Sequence, residues 1–249
     1  MTEHENFKAE CQAEVAQQGT NTELKELTNQ WISTAAEHKY SYHFEWLGRP
    51  IIQHPQDMIG LQQLLWNIQP DLVIETGIAR GGSLIFSASI LELIALCGGN
   101  PAAKVLGIDI DIRAHNRVEI EAHPMSKRLH LLQGSSTAAE VIEQVRARVA
   151  GKQRVMVCLD SNHTEAHVLA ELDAYSSLVT PGSYLVVFDS VVEDLPPGFF
   201  ADRPWDVGDN PKTAVRKWLP AHPEFALDRD FENKLLLTVC PDGFLKRLG

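Results

Sequence analysis

Glu75-Thr76-Gly77-Ile78-Ala79-Arg80-Gly81-Gly82-Ser83 decides the fold. It follows Asp71-Leu72-Val73-Ile74-Glu75, a short apolar run bounded by Pro70 that reads as a buried strand. It opens the apolar stretch Ser83–Cys97, which reads as a helix closed by Gly98-Gly99. Glycines between a strand and a helix let the chain turn sharply and let a ligand approach the backbone. The helix start adds free N–H groups and positive potential, which suit a carboxylate or phosphate. Gly77, Gly81 and Gly82 do not fit GxGxxG, so a dinucleotide pyrophosphate site is disfavoured.

Working outward, strands and helices alternate. Pro55 starts a helix whose Met58, Leu61, Leu65 and Ile68 share a face. Downstream, Val105–Ile108 reads as a strand ending at Asp109, His130–Leu132 as a short strand and Ala138–Val149 as a helix. Val155–Leu159 is a strand ending at Asp160, Thr164–Leu178 a helix, and Tyr184–Phe188 a strand ending at Asp189. This alternation predicts a parallel sheet with helices on both faces. Val191–Asn210 has no period and is rich in Pro, Gly, Asp and aromatics; a loop of that length in a compact domain is usually functional or mobile. Asn210-Pro211 starts another helix as cap and first residue. Phe225–Leu227 and Leu235–Val239, joined by the polar Asp228–Asn233, read as a closing antiparallel hairpin.

Residues 1–40 read as a helical arm. Thr20 and Glu23 have capping-box spacing, Gly19 separates an earlier and weaker helix, and Leu24, Leu27, Trp31 and Ile32 form one apolar stripe. Such a stripe needs a partner: the domain, a lid position over a ligand, or another subunit.

Composition narrows the function. With 44% hydrophobic residues the chain can build a sizeable core. No apolar run reaches the roughly 18 residues of a membrane span, and the polar start lacks a signal peptide's pattern. The net charge of -11 repels phosphate backbones and argues against a general nucleic-acid binder. Cys11, Cys97, Cys158 and Cys240 form no CxxC and read as reduced thiols of a cytoplasmic protein.

Several side chains are placed to carry chemistry. Asp109, at a strand end, can accept two hydrogen bonds from ribose hydroxyls; Asp111 competes for that role, and the strand-end position favours Asp109. Gln133-Gly134-Ser135-Ser136 suits contacts to an adenine ring. Asp160 and Asp189 end parallel strands and emerge at the edge where open α/β sheets bind ligands, so together they can hold a hard divalent cation such as Mg2+. In His163-Thr164-Glu165-Ala166-His167 the two imidazoles share a helical face. Zinc would need a third ligand that is not evident. His163, three residues after Asp160, is a candidate general base, whereas His167 reads as structural.

These residues together resemble the cephalosporin hydroxylase-like and rhamnosyl O-methyltransferase family over roughly residues 40–240. The resemblance rests on Trp46-Leu47-Gly48-Arg49-Pro50 with Gln53, on Glu75–Ser83 and on Gly107-Ile108-Asp109-Ile110-Asp111. It continues in Leu159-Asp160-Ser161-Asn162-His163 and in Gly182–Asp189. Glu75-x-Gly77-x-x-x-Gly81 is similar to the first motif of class I methyltransferases, whose glycine turn faces the methionine part of S-adenosylmethionine. The wider layout looks like catechol O-methyltransferase. That likeness implies metal ligands at Asp160 and Asp189, with Ser190 in place of an Asn ligand. It places His163 where those enzymes carry a catalytic lysine, and Ser83 where a serine holds the cofactor carboxylate. Phe188 stands where some relatives carry an acidic residue, and Glu193 or Asp194 could take over as a ligand if the loop folds back. No iron-binding facial triad is evident.

The expectation is a Rossmann-like α/β class I methyltransferase domain over 41–249, a mostly parallel sheet with helices on both faces and a C-terminal antiparallel hairpin. The arm over 1–40 serves as lid or oligomerisation element. S-adenosylmethionine is expected on Glu75, Gly77, Ala79, Gly81, Ser83, Asp109, Gly134, Ser135 and Ser136, and Mg2+ on Asp160, Asp189 and Ser190. Asp160 and His163 serve O-methyl transfer to a small-molecule or glycosyl hydroxyl, in a cytoplasmic homo-oligomer without nucleic-acid partners. The alternatives are an NAD(P)-dependent oxidoreductase, which would want a Tyr-x-x-x-Lys pair, and a catalytically silent partner protein keeping the cofactor fold.

Overall fold

The computed structural model describes residues 2–249. Helices α1 (Glu3–Thr20) and α2 (Thr22–Glu37) precede an antiparallel ribbon of β1 (Phe44–Trp46) and β2 (Arg49–Ile51). There follow α3 (Pro55–Ile68), β3 (Leu72–Thr76), α4 (Gly82–Leu96), β4 (Lys104–Asp109), α5 (Ala114–Ala122) and β5 (Leu129–Gln133). The chain continues through α6 (Ala139–Val149), β6 (Val155–Leu159), α7 (Glu165–Tyr175), β7 (Tyr184–Val187), α8 (Pro211–Trp218), β8 (Phe225–Leu227), α9 (Arg229–Leu235) and β9 (Phe244–Arg247).

The main sheet has the order β5-β4-β3-β6-β7-β9-β8. β3 to β7 pair in parallel, and β9 runs antiparallel to both its neighbours. The chain leaves β3 toward β4 and β5, then crosses back to β6 and β7, so the switch point lies between β3 and β6, where such sheets open a ligand crevice. Register fixes the height of that crevice. Thr76 pairs with both Ile108 and Leu159, so the next residues, Gly77, Asp109 and Asp160, emerge level.

Strands buried on both faces need near-continuous apolar sequence, and Leu72–Ile74, Val155–Leu159 and Tyr184–Val187 supply it. One face packs on α3 and α4 through residues such as Leu61, Leu65, Leu84 and Leu91. The other packs on α6, α7 and α8 through Val145, Leu172, Tyr175 and Trp218. Each such side chain contributes on the order of 1.5–3 kcal/mol by leaving water. No helix among the described residues is long and apolar enough to cross a membrane.

The structure corrects three local readings. The closing antiparallel pair is β8 with β9, not with Leu235–Val239; the connection holds α9, whose start is capped by the Asp228 carboxylate accepting from Phe231 N–H at 3.0 Å. Thr20 does not cap α2. That cap is Asn21, which accepts from Leu24 N–H at 3.0 Å, while Thr20 is the last residue of α1. Gly19 does not separate the helices: it lies inside α1, where a Cβ would collide with Asn233 of α9, and Gln18 Nε2 donates to the Asn233 carbonyl at 2.6 Å. Of the apolar stripe on α2, Ile32 is buried while Leu27 and Trp31 stay exposed.

Candidate active site

The glycine turn after β3 is held from three sides. Gly77 has φ +89°, and a Cβ there would collide with the Asp160 carbonyl, so the turn lies directly on the segment following β6. Ala79 takes the left-handed conformation at φ +46°, which costs a non-glycine residue about 1 kcal/mol and persists only where neighbours enforce it. Its N–H and that of Ile78 donate to Asp109 Oδ2 at 3.3 and 2.8 Å. Its carbonyl accepts from Asn116 Nδ2 at 2.9 Å, and the next carbonyl, of Arg80, accepts from the Arg49 guanidinium at 2.6 Å. Arg49 and Asn116 therefore clamp the turn. Sequence reading placed Arg49 in a motif without a task and missed Asn116.

Behind the turn Glu75 is buried, which pushes its carboxyl up to about 7 against the pull of the Ser83 hydroxyl that donates to it. In front lies a cleft open to solvent, between Pro50, Ile52 and Gln53 on one wall and the turn with Ser83 and Asp160 on the other. Gln53 is 3% exposed, and its Oε1 has no hydrogen-bond partner. A buried carbonyl oxygen without a donor costs about 1–3 kcal/mol, so this wall fits a ligand that brings one, such as an ammonium.

Asp109 sits where the sequence put it, with Oδ1 accepting from Asp111 N–H at 3.0 Å. A carboxylate has about four lone-pair sites, so acceptor capacity remains. Asp111 itself is exposed. The loop after β5 comes alongside, with Gly134 N–H donating to the Asp109 carbonyl at 2.8 Å; Ser135 pairs with the Thr137 hydroxyl at 3.1 Å, and Ser136 is buried.

Asp160, His163 and Asp189 converge, each offering a ligand atom within 4.8 Å of the others. His163 Nε2 lies 3.1 Å from Asp189 Oδ2. Burial, then the charge of Asp189, raises the Asp160 carboxyl well above the usual range. Two crowded carboxylates and an imidazole are a donor set that a divalent cation fits. Ser190 does not join it. Asp189 takes φ +53°, and the Ser190 hydroxyl turns away, fully buried, to donate to the Pro241 carbonyl at 2.7 Å. His163 lies beside the two carboxylates instead. Glu193 and Asp194 are also engaged elsewhere: Glu193 accepts from Gly208 N–H and Asn210, and Asp194 pairs with Lys212 at 2.6 Å.

Those bonds pin the loop after β7 so that Trp205 meets the His163 ring edge-on at 4.7 Å between centroids. Arg203 lies over Trp205 at 5.3 Å, and Phe199 meets Phe200 at 4.9 Å. The indole of Trp205 thus lies beside the cluster, while Phe199 and Phe200 pack against the core.

Residues 38–248 match the family described as Rhamnosyl O-methyltransferase/CmcI. A rhamnosyl O-methyltransferase of Mycobacterium tuberculosis is 34% identical over 195 residues, covering 77% of this chain and 73% of the relative. That of Mycobacterium leprae is 31% identical over 207 residues, 81% of this chain and 82% of the relative. Among solved structures, CmcI with Mg and SAM has a TM-score of 0.59 at 18% identity, covering 84% of this chain and 78% of the other. The O-methyltransferase from Bacillus cereus in complex with SAH has a TM-score of 0.52 at 16% identity, over 83% and 82%. At these identities the structural likenesses establish the fold.

Proposed function

The chain belongs to the rhamnosyl O-methyltransferase/CmcI family, and from that premise we propose that it transfers the methyl group of S-adenosylmethionine to a hydroxyl of a glycosyl or other small-molecule acceptor. The observation that carries this reading is the convergence, at one sheet edge, of a clamped glycine turn beside an open cleft with the Asp160–His163–Asp189 cluster. The glycine spacing does not suit a dinucleotide.

S-adenosylmethionine supplies, when bound, a sulfonium methyl that is already electrophilic. Gly77–Gly82 and Ser83 receive its amino-acid end, with Gln53 Oε1 as acceptor for the ammonium. Asp109 takes the ribose, and Gly134–Ser136 take the adenine. Asp160 and Asp189 would hold a divalent cation, which would supply Lewis-acid chemistry toward the acceptor hydroxyl. With the His163 Nε2–H donated to Asp189, Nδ1 is the lone pair that receives the proton. The O–C bond forms as the S–C bond breaks, and that electron pair goes to sulfur. Trp205 stacks on the acceptor, and Arg203 meets a charged group if the acceptor carries one.

Calorimetry with S-adenosylmethionine and with NAD tests the donor: the first binds and the second does not. Asp109→Ala weakens S-adenosylmethionine by roughly 1.5–3 kcal/mol, about 10- to 150-fold, since the residue holds both the turn and the ribose. Unchanged affinity would move the ribose to Asp111.

The arm belongs to the same proposal. Trp31 meets His54 and Tyr40 edge-on at 5.9 and 5.0 Å, and His54 adjoins Gln53 of the cleft. The exposed Leu27 and Trp31 leave a face for a lid contact or a second copy. Deleting residues 1–40 lowers turnover or the mass seen by light scattering; if both hold, the arm has neither role.

A further inference from the structure

The HxxxH segment divides between two tasks, and its second histidine is absorbed by nothing above. His167 Nε2 lies 3.2 Å from Ser136 Oγ, 3.1 Å from Ser161 Oγ and 3.5 Å from Glu171 Oε1. Ser161 Oγ donates to the same Glu171 oxygen at 2.8 Å, and Tyr175 OH donates to the Ser136 carbonyl at 2.7 Å. Glu171 is 0% exposed, and its Oε2 has no partner. A buried carboxyl needs polar partners, and here Ser161 donates to it while the His167 ring lies alongside.

Ser136 follows β5 and Ser161 follows β6, strands separated in the sheet by β4 and β3. No ladder hydrogen bond links these two loops; α7 does, through one ring nitrogen. The Asp160–Ser161 backbone is also what Gly77 lies against. One imidazole therefore bridges the loops after β5 and β6, and the second of these carries the backbone on which the glycine turn packs.

We infer that His167, anchored by Glu171, is a positioning residue that holds the loops after β5 and β6 in register for the purine end of the methyl donor. The inference rests on the donor reading proposed above. It expects a loss confined to donor binding, because His167 lies on α7 and outside the Asp160–His163–Asp189 cluster, whereas His163 precedes the Thr164 cap of that helix.

Calorimetry with S-adenosylhomocysteine and with 5′-methylthioadenosine, which carries the purine without the amino acid, tests it. His167→Ala raises the Kd for both about tenfold, the scale of one bond to a charged group. The KM for S-adenosylmethionine rises with it, while kcat at saturation stays within about twofold. His167→Gln, whose amide can donate from a similar position, recovers most of the loss. If His167→Ala does not fold, Ser161→Ala carries the same expectation with the helix intact. Wild-type affinity for both ligands in His167→Ala, or no recovery in His167→Gln, overturns the inference. A wild-type protein that binds neither ligand overturns the donor reading instead, which separates the two failures.

Discussion

A chelator abolishes turnover, and added Mg2+ or Mn2+ restores it. The reason is electrostatic. Asp160 and Asp189 bring carboxylate oxygens within 4.8 Å of each other and of a His163 nitrogen. Two unit charges at that separation repel by about 3–4 kcal/mol at an effective dielectric of about 20. Without a cation this site disfavours the charged form of Asp160, whose carboxyl is raised well above the usual range, by burial most, then by Asp189, Glu75, Glu171 and Asp57. Without the ion the acceptor hydroxyl loses the Lewis acid that would lower its pKa. Asp160→Asn keeps the shape and removes the charge, so it imitates the chelated state irreversibly. Loss of the several kcal/mol that a bound ion contributes to a developing alkoxide corresponds to about 10³-fold in kcat. Titration with Mg2+ reads the same change without turnover: the wild type gives a binding isotherm and Asp160→Asn gives none. Full activity in chelator would remove the cation and leave Asp160 as a partner for the donor's ammonium across the cleft that it lines.

Much of this site was legible because it hangs on strand ends. Buried parallel strands demand continuous apolar runs, such runs stop visibly, and the acidic residue at each stop, Asp109, Asp160 and Asp189, falls at the same edge by topology alone. The clamp on the turn was not legible, because Arg49 and Asn116 act on backbone carbonyls 30 or more residues away. The same holds for Ser190: only the left-handed turn at Asp189 and the distant Pro241 carbonyl decide that its hydroxyl points away. Among the elements, β1 and β2 have three residues each, too few for a period of two to register. The C-terminal error has a physical source too. Leu235-Leu236-Leu237-Thr238-Val239 is apolar enough for a strand, but Asp57 accepts from the Thr238 hydroxyl and Val239 N–H and so engages the run with the start of α3.

His163→Ala lowers kcat by about 10²–10⁴-fold, the range of a positioned general base. Nε2 faces Asp189 at 3.1 Å, an arrangement that fixes the ring and selects the tautomer with Nδ1 free. Trp205 presses on the ring edge-on, so the imidazole has one orientation rather than several. The same nitrogen could instead complete the cation's coordination, and the variant separates the roles. As a base, His163 is lost without changing Mg2+ affinity, since Mg2+ prefers oxygen donors and retains its two carboxylates. As a ligand, it is lost together with cation affinity, and excess Mn2+ recovers part of the rate. Trp205→Ala reports on the support: it leaves the cation in place, loosens the ring, and raises the KM of the acceptor about tenfold if the indole also stacks on it. Unaltered kcat in His163→Ala would end the base assignment and leave alignment of the hydroxyl by Asp160 and Asp189 to carry the transfer.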